Sequence, residues 1–420
     1  MSTLTDIRVE SATVEVVGHR LDHPLVLSNG VVTELPEITA RVTVSDGCSS
    51  AEGYGAANLS DAWAWPDPAL TSGAKHEAMV DYARGLAGSI GDRVGGPAHP
   101  LELGLRLHDS FLAETAHRAP VLARAICASA FDAAIHDAAG QLTARSAFSF
   151  YDDDAQVPSA DELFPTGAVE AVRTVLRAPH AQLPGWWLIA PGDDLPAAVD
   201  RASSCGMTQF KIKLAGSDPA GDADRVAAIH DAVSSRGAAV RLSVDTNEGS
   251  ASPAAVLEFL DRLATIRPAA QDALGYLEQP TPRDSLSRHS WHEVGQRTPV
   301  LVDEALSSMD DLVAAGETGW SGFAVKTCKG HSFALVVAAW AAQHDMVVSV
   351  QDLTNIGRSA IHSYLLAAHL PSINGIELNS PQYLPGANEP WLPRLAGLFR
   401  PTEGAHRLDP SGVVGLGSRL

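Results

Sequence analysis

Cysteine is scarce in this chain and is not arranged for disulfides or for a metal site. The 420 residues include four cysteines, which lie far apart and form no CxxC pair. A disulfide-rich secreted domain and a cysteine-based zinc site need closely spaced cysteines, so neither fits. We expect reduced thiols, and we assign no role to Cys328, which has no histidine beside it in sequence to activate it.

Excess positive charge and long apolar runs are also lacking. The chain has 30 Lys and Arg against 50 Asp and Glu, and this net charge of −20 would repel nucleic-acid phosphates and anionic lipids. The apolar runs are too short to span a bilayer, and the first residues carry scattered charges where a signal peptide would have an apolar region. We therefore expect a cytoplasmic protein with no nucleic-acid or membrane partner. A homo-oligomer is a separate expectation.

What the chain does have is enough apolar side chain for a large core. Hydrophobic residues make up 45% of it and charged residues 19%, a balance typical of a globular protein rather than a disordered one. Its length exceeds one ordinary domain but suits a barrel with a smaller second domain.

The N-terminal third reads as an α+β domain, which we place at residues 1–140. Up to about residue 60, apolar and polar residues alternate, as in ITARVTVSDG, and this pattern predicts an antiparallel sheet. From Lys75 the apolar spacing becomes helical, and Gly140 is expected to end the last helix. The polar, Pro- and Asp-rich segment 145–183 is a candidate insertion.

After this segment, short β-rich runs alternate with Ala-rich helical stretches. Buried strands separated by helices indicate a parallel sheet, and repeated right-handed crossovers at this spacing close into a (β/α) barrel of TIM type. We predict an α/β fold with this barrel at 141–385, capped by the N-terminal α+β domain, and a C-terminal segment at 386–420 that packs on the cap. The strand runs are WWLIA, TQFKIKL, VRLSVD, LGYLEQP, PVLVDEA, GFAVKT, MVVSVQD and NGIEL.

Ionisable residues recur at the ends of these predicted strands, each about one strand–helix unit after the last. In such a barrel the C-terminal ends of all strands meet at one mouth, so side chains far apart in sequence share one cavity. The residues are Lys213, Asp245, Glu278, Asp303, Lys326, Asp352 and Glu377.

Three of these acids follow consecutive strands: Asp245, Glu278 and Asp303. Carboxylate oxygens facing a common point are the ligands that Mg²⁺ prefers, and no histidine occupies a matching position, which disfavours zinc. Each acid alone would be read as a helix cap or a solvated loop residue. Three in register favour a magnesium site.

Lysines accompany the acids. Lys211 and Lys213 lie two apart on one strand and so point the same way, into the barrel, where a lysine is costly unless anions surround it. Lys326 ends a later strand. For Lys329 we expect a surface side chain whose ammonium reaches water, and for His331 an exposed or helix-capping position.

These motifs resemble the enolase superfamily, and within it the muconate-lactonizing-enzyme-like branch of the mandelate racemase and muconate lactonizing enzyme family. The similarity rests on KIK at 211–213, VDTN at 244–247, LEQP at 277–280, VDEA at 302–305 and the lysine in FAVKTCK, and it extends over nearly the whole chain. Two departures stand out. KTCKGHS has no Gly-Gly after the lysine motif, and VQDLTN supplies Asp352 where the mandelate racemase branch has a His–Asp dyad.

The resemblance implies roles for these residues. Asp245, Glu278 and Asp303 would bind Mg²⁺, Lys213 and Lys326 would be acid/base groups on opposite faces of a small carboxylate substrate, and Lys211 would help to hold the substrate carboxylate. Asp352 and Glu377 are further candidate substrate contacts. The cap and the C-terminal tail would set specificity. Five residues lie in the expected capping loops, and we expect each of them to face solvent or pack in the core: His19, Arg20, Tyr54, Trp63 and Trp65.

These residues are compatible with three functions. Two lysines suit a racemase or epimerase that forms an ene-diolate from an amino-acid or dipeptide-like acid. With Lys326 acting only through its charge, the same residues suit a lyase or cycloisomerase. A barrel that keeps its metal site but has no activity is the alternative from another class, and the complete residue set argues against it.

Overall fold

The chain forms an N-terminal α+β cap and a parallel barrel, as predicted from its sequence. The structure is a computed structural model and describes residues 6–27, 30–237 and 239–420. Within these ranges no helix is both long and apolar enough to cross a bilayer.

The cap is a three-stranded antiparallel sheet in the order β1-β2-β3, covered on one face by helices. On β2 the side chains of Ile38, Ala40, Val42 and Val44 are buried, and the residues between them are more exposed, so the alternation in the sequence defines the covered face. The elements are β1 (Arg8–Leu27), β2 (Gly30–Ser45), β3 (Ser50–Asn58), α1 (Asp61–Ala64), α2 (Ser72–Val94), α3 (Pro100–Leu112) and α4 (Val121–Thr143).

Two glycines allow α4 to lie directly on β3. A Cβ atom at Gly53 would be 2.1 Å from the backbone nitrogen of Ala138, and one at Gly55 would be 2.1 Å from the carbonyl oxygen of Ala130. No side chain fits at either position, so the approach of helix to strand requires glycine.

Gly140 does not end α4, contrary to our expectation. The helix runs to Thr143, and Ala144 takes the left-handed conformation (φ 53°) that ends it. A Cβ atom at Gly140 would be 2.2 Å from Cα of Gly415, so this glycine serves a close contact with the C-terminal tail instead.

The barrel has eight parallel strands within the described residues, in the order β10-β9-β8-β7-β6-β5-β4-β11. Between β10 and β11 isolated hydrogen bonds take the place of a regular strand ladder. The Ile373 N–H donates to the Val348 carbonyl, and the side-chain amide of Asn374 accepts from the N–H of Val350 and donates to its carbonyl. The strands are β4 (Gln182–Ile189), β5 (Gln209–Lys213), β6 (Arg241–Asp245), β7 (Leu274–Glu278), β8 (Val300–Val302), β9 (Gly322–Lys326), β10 (Val347–Gln351) and β11 (Ile376–Glu377).

Several barrel helices begin where the sequence supplies a cap. The side chains of Asp194, Asp218 and Ser252 each accept a backbone N–H from the first turn of the helix that follows, and each of these helices has a proline in its first two positions. The helices are α5 (Ala168–Val175), α6 (Leu195–Ser204), α7 (Pro219–Ser234), α8 (Pro253–Ile266), α9 (Pro268–Asp272), α10 (His292–Arg297), α11 (Met309–Thr318), α12 (His331–Gln343), α13 (Gly357–His369), α14 (Ser380–Tyr383) and α15 (Leu392–Phe399).

The segment 145–183 connects the cap to the barrel. It contains two 3-10 turns (Ala147–Asp152 and Asp161–Leu163) and α5, which packs against α12, before β4 begins at Gln182.

The C-terminal residues contact both domains. Leu416 N–H and Ser418 Oγ donate to the buried carboxylate of Asp137 on α4, and β12 (Ala405–Arg407) pairs antiparallel with β4.

Described residues of β1 and β2 pack against the barrel. Leu21, Leu25, Val32 and Leu35 form a small apolar cluster with barrel residues that include Leu188 and Ile356.

Candidate active site

Strand register brings the first predicted site residues side by side. Lys213 on β5 lies opposite Asp245 on β6, which in turn lies opposite Glu278 on β7. Asp303 directly follows β8 and Lys326 ends β9, so all five side chains meet at the mouth of the barrel.

Asp245, Glu278 and Asp303 form a row of acids, and Lys213 contacts the acid at one end of it. Its ammonium group lies 2.5 Å from Asp245 Oδ2 and donates to Asn247 Oδ1 at 2.8 Å. Burial alone would raise the pKa of Asp245, but Lys213 and Lys211 lower it below the usual value. Asp245 is therefore an anion at neutral pH.

Lys211 lies deeper and is surrounded by acceptors. Its ammonium group is 2.9 Å from Glu278, 3.1 Å from Glu377, 3.2 Å from Asp245 and 3.2 Å from Gln351. Burial would lower the pKa of this lysine, but the three carboxylates raise it well above the usual value. Lys211 is a permanent cation at the centre of the cluster, and its predicted contact with the substrate carboxylate remains a prediction.

The other end of the row is Asp303. Lys326 Nζ lies 2.8 Å from its Oδ2 atom and Lys329 Nζ lies 3.1 Å from its Oδ1 atom. Burial would raise the pKa of Asp303, but the two lysines lower it. Burial would likewise lower the pKa of Lys326, but Asp303 and Glu278 raise it.

The predicted position of Lys329 was wrong. It is 3% exposed rather than at the surface, because the 3-10 turn Thr327–Lys329 folds the chain back toward the mouth after β9. Its ammonium also donates to the carbonyl oxygen of Asp303 at 2.5 Å. The sequence feature that could have placed Lys329 in the site is its position three residues after Lys326 in KTCK. The alternation of β9 does not reach Lys329, so it assigns no direction to that side chain.

Trp63 is the capping-loop residue that reaches the cluster. Its indole Nε1 donates to Asp303 Oδ2 at 3.3 Å, and the ammonium groups of Lys326 and Lys329 lie 5.2 and 5.7 Å from its ring centroid. A cation over an indole face is favourable. The cap therefore supplies one wall of the site.

The other capping-loop candidates lie elsewhere. His19 is 3.4 Å from Glu37 within the sheet, the Tyr54 ring faces Arg358, the Trp65 ring faces Arg118, and Arg20 is exposed.

His331 is neither exposed nor a helix cap. It is fully buried between α4, α12 and α13, and its Nδ1 atom is 2.9 Å from Nε2 of His362. Burial keeps the pKa of both imidazoles below the usual value, so they are neutral.

Asp352 and Glu377 form a second group beside the lysine cluster. Asp352 Oδ2 accepts the backbone N–H groups of Asn355 (2.9 Å) and Asn379 (3.1 Å), and Glu377 Oε1 accepts the side-chain amide of Asn379 at 2.8 Å. Among the described residues, Asp352 Oδ1 and Asn379 Oδ1 have no hydrogen-bond donor although both are buried. Burial, and then repulsion from Glu377, raise the pKa of Asp352 to about 7.

Sequence reasoning overlooked four polar side chains that hold the cluster together. Gln279 Oε1 accepts the backbone N–H of Asp303 (2.8 Å) and of Ala305 (3.1 Å), and Gln351 Nε2 donates to Glu278 at 2.5 Å. The other two are Asn247 and Glu304, and Asn247 Nδ2 donates a hydrogen bond to Glu304 Oε1 at 2.9 Å. All four stand beside or within the quoted motifs, and the alternation of β10 could have placed Gln351 inside.

The oxygen atoms of this site suit Mg²⁺. Asp245, Glu278 and Asp303 are hard carboxylate donors on neighbouring strands. Burial and nearby carboxylates raise the pKa of Glu278 and of Glu304, and Glu304 Oε2 has no donor among the described residues, so negative charge is in excess there. A divalent cation would relieve it.

The carboxylates are not arranged as a finished metal cage. In the described part of the chain, no three His, Cys, Asp or Glu side chains converge on one point, because ammonium groups lie between the acids. A metal ion would compete with these ion pairs.

Comparison with known proteins supports a family assignment. Residues 194–399 match the family model described as enolase C-terminal domain-like. A curated chloromuconate cycloisomerase from a Pseudomonas species is 28% identical over 214 residues, which cover 49% of this chain and 55% of that protein. The chain thus spans about half the length of the curated relatives it matches.

Solved structures share the fold over almost the whole chain. Muconate lactonizing enzyme from Pseudomonas fluorescens, complexed with muconolactone, superposes with a TM-score of 0.67 at 18% identity and covers 98% of this chain and 96% of its own. A dipeptide epimerase from Enterococcus faecalis, complexed with Mg and the dipeptide L-Leu-L-Tyr, gives 0.68 at 16% identity, covering 98% and 99%. The N-succinyl Arg/Lys racemase from Bacillus cereus gives 0.65 at 17%, covering 98% and 95%.

These matches and the order of the strand-end motifs agree on one family. The barrel region of the chain, residues 194–399, belongs to the enolase C-terminal domain-like family, and the curated match is to a chloromuconate cycloisomerase. The curated proteins it matches are chloromuconate cycloisomerases, and the solved structures that share its fold include a dipeptide epimerase and an N-succinyl Arg/Lys racemase.

Proposed function

We propose that this chain is a Mg²⁺-dependent racemase or epimerase that removes and returns the α-proton of an amino-acid or dipeptide-like carboxylate through an ene-diolate. The observation that carries the proposal is the arrangement of lysines around the acid row. Lys213 contacts Asp245 at one end, and Lys326 and Lys329 contact Asp303 at the other. A proton carrier is therefore available at each end.

Asp245, Glu278 and Asp303 would hold the metal. When bound, Mg²⁺ supplies the positive charge that stabilises negative charge building on the substrate carboxylate. Lys211 stays charged among its carboxylates and adds a second fixed cation below the row.

Lys326 is held as an acid in the resting site. Asp303 and Glu278 keep the pKa of Lys326 high, although burial alone would lower it, so this ammonium can donate a proton but cannot yet accept one. A lysine becomes a base when further positive charge enters its surroundings and its anionic partner is shared. Metal binding to the acid row would have this effect at both ends.

Two lysines compete for the role at the second face. Lys326, our predicted acid/base, and Lys329 contact different oxygens of Asp303 and both face the ring of Trp63. Their burial is nearly equal, at 4% and 3% exposed. Separate substitution of each lysine decides between them.

The unpartnered buried oxygens of Asp352 and Asn379 support an amino-acid-derived substrate. Their unpartnered oxygens can only accept hydrogen bonds unless Asp352 is protonated, so they favour a substrate with an N–H or ammonium group near its carboxylate. A substrate without such donors would leave these buried oxygens unsatisfied.

A cycloisomerase or lyase is the second candidate. The curated relatives are chloromuconate cycloisomerases, and such a reaction would use Lys213 as the single proton carrier with Lys326 acting through its charge. The alternative of a non-catalytic metal-binding barrel has least support, since acids and lysines are all present and in contact.

Deuterium exchange tests the proposal most directly. The metal-loaded protein is incubated in D₂O with panels of amino acids, N-acyl amino acids, dipeptides, hydroxy acids and unsaturated acids, and NMR follows the α-proton. We expect exchange, then inversion, in an amino-acid or dipeptide panel. Conversion confined to unsaturated acids would support the cycloisomerase instead, and no exchange in any panel would favour the non-catalytic barrel.

A further inference from the structure

Asp132 joins the cap to the barrel through a buried bidentate contact. It lies on α4, and its carboxylate accepts two hydrogen bonds from Ser332 at the start of α12, from the backbone N–H to Oδ2 at 2.8 Å and from the hydroxyl to Oδ1 at 2.7 Å. Both residues are almost fully buried. The contact caps the N-terminus of a barrel helix with a side chain from the other domain.

Ser332 lies three residues after Lys329, the second of the two competing lysines. Lys326 ends β9, the turn Thr327–Lys329 follows, and Gly330 links this turn to α12 with a φ of 111°. A Cβ atom at Gly330 would lie 3.1 Å from Asp132 Oδ2, so the linker passes close beside this carboxylate. The position of the turn is therefore tied to Asp132.

The packing around this contact leaves no room for adjustment. A Cβ atom at Gly104 on α3 would lie 2.0 Å from Ser332 Oγ and 2.1 Å from Asp132 Oδ1. Two cap helices and one barrel helix thus meet at the hydrogen-bonded pair, and only glycine permits that approach.

The opposite end of the turn is held within the barrel. Thr327 Oγ1 is 2.9 Å from Ser363 Oγ on α13, and Asn355 Nδ2 donates to the same hydroxyl at 2.8 Å. The turn is clamped at Thr327 by the barrel and at Ser332 by the cap.

Stability alone does not explain a carboxylate at this position. Burial raises the pKa of Asp132 to about 6, although its bonds to Ser332 and His331 lower it, so the ionised form is disfavoured by folding. The nearest titratable neighbour is His136, 3.6 Å away, whose own burial keeps its pKa low and its ring neutral. Tyr151 and His331 are the other titratable groups nearby, and burial keeps both uncharged. A buried anion without a cationic partner destabilises a fold.

We propose that Asp132 is a positioning residue, through which docking of the cap sets the placement of Lys326 and Lys329 at the second face of the site. Its catalytic consequence rests on the proposed function, but its effect on the turn does not. The cap then acts on the reaction by fixing the acid/base turn.

Cys328 provides a readout of the turn that is independent of activity. It lies between the two lysines and is buried, so alkylation of its thiol requires the turn to open. Cys127, buried on α4, reports opening of the cap itself, and the exposed Cys48 reports reagent reactivity. Peptide mass spectrometry follows each thiol separately in the full-length protein.

The test compares Asp132→Asn and Ser332→Ala with Asp137→Asn. Asp137 is a fully buried carboxylate on the same helix that binds the C-terminal tail, so its variant is a matched control. We expect both test variants to speed alkylation of Cys328 about tenfold or more, the scale of one buried hydrogen bond to a charged acceptor, with Cys127 unchanged. The control should leave Cys328 at the parent rate. An unchanged Cys328 rate in both test variants, or an equal rise in the control, overturns the proposal.

Exchange kinetics test the catalytic half. In Asp132→Asn we expect kcat for α-proton exchange at the second face to fall about tenfold or more, with KM and exchange at the Lys213 face unchanged. Faster alkylation with unaltered exchange at both faces would show that the turn does not control the lysines, which refutes the proposal. If the parent protein exchanges no substrate, the proposed function fails while the alkylation result still decides whether Asp132 holds the turn.

Discussion

Replacing Lys211 with methionine should expose the electrostatic balance of the barrel mouth. Methionine is similar in length and apolar, so the change removes the ammonium and little volume. Three carboxylates, on Glu278, Glu377 and Asp245, lie within 3.2 Å of that ammonium and would lose their shared cation. Breaking a buried ion pair leaves uncompensated charge, which costs roughly 3–5 kcal/mol in folding free energy.

Magnesium should reverse much of this loss, because two of these carboxylates, Asp245 and Glu278, are among its proposed ligands. Binding to the folded state alone adds about 2.7 kcal/mol at a metal concentration one hundred times the dissociation constant. We therefore expect the metal-free Lys211→Met protein to lose roughly 3–5 kcal/mol, and saturating Mg²⁺ to restore a larger increment than it adds to the parent.

The assay is urea unfolding with and without Mg²⁺, alongside a matched control. Lys75 is a buried lysine of the cap, 6% exposed, whose ion pair with Asp61 is 3.9 Å long and is supported by His76. Lys75→Met should cost less and should respond to Mg²⁺ as the parent does. A loss below about 1 kcal/mol in Lys211→Met, the scale of an exposed pair, or an increment from Mg²⁺ no larger than in the parent, would refute the reasoning.

Three further outcomes follow from the site. Metal-stripped protein should be inactive and regain activity on titration with Mg²⁺, whereas Asp245→Asn should not; full activity without metal would rule out the metal assignment. Lys213→Ala should abolish α-proton exchange of one stereoisomer only, as followed by NMR in D₂O. Of Lys326→Ala and Lys329→Ala, the variant that loses exchange of the other stereoisomer identifies the second base. If all three variants lose exchange of the same stereoisomer, the result supports a lyase or cycloisomerase. Because folding raises the pKa of Asp352 to about 7, the folded state binds the extra proton, so stability should fall as pH rises from about 4 to about 7. Asp352→Asn should remove this dependence and gain up to about 4 kcal/mol at pH 8 in urea unfolding; an unchanged pH slope would contradict the shift.

The strand-end residues could be predicted because local patterns determine them. Alternation in FKIKL places Lys211 and Lys213 on one side of a strand, and parallel strands separated by helices bring Asp245, Glu278 and Asp303 to one edge whatever the rest of the chain does. Those rules need only the order of residues and the period of a strand.

The errors fall where the chain leaves a regular element. Lys329 follows a 3-10 turn and His331 begins a buried helix, so neither position has a strand period that would assign a direction to its side chain. Gly140 resembles a helix stop in sequence, yet α4 continues past it to Thr143, and the tail residue Gly415 lies against Gly140. The partner that determines each of these positions is remote in sequence.

The sequence by itself determined the succession of strands and helices, the cap and barrel classes, and the acids and lysines that end the strands. Only the tertiary structure decided which ammonium lies between which carboxylates, that Trp63 reaches Asp303, and that Asp132 binds the start of α12 at Ser332. Periodicity is a property of neighbouring residues, whereas the last two contacts join positions 240 and 200 residues apart. Their geometry depends on how the cap packs on the barrel, which no local pattern encodes.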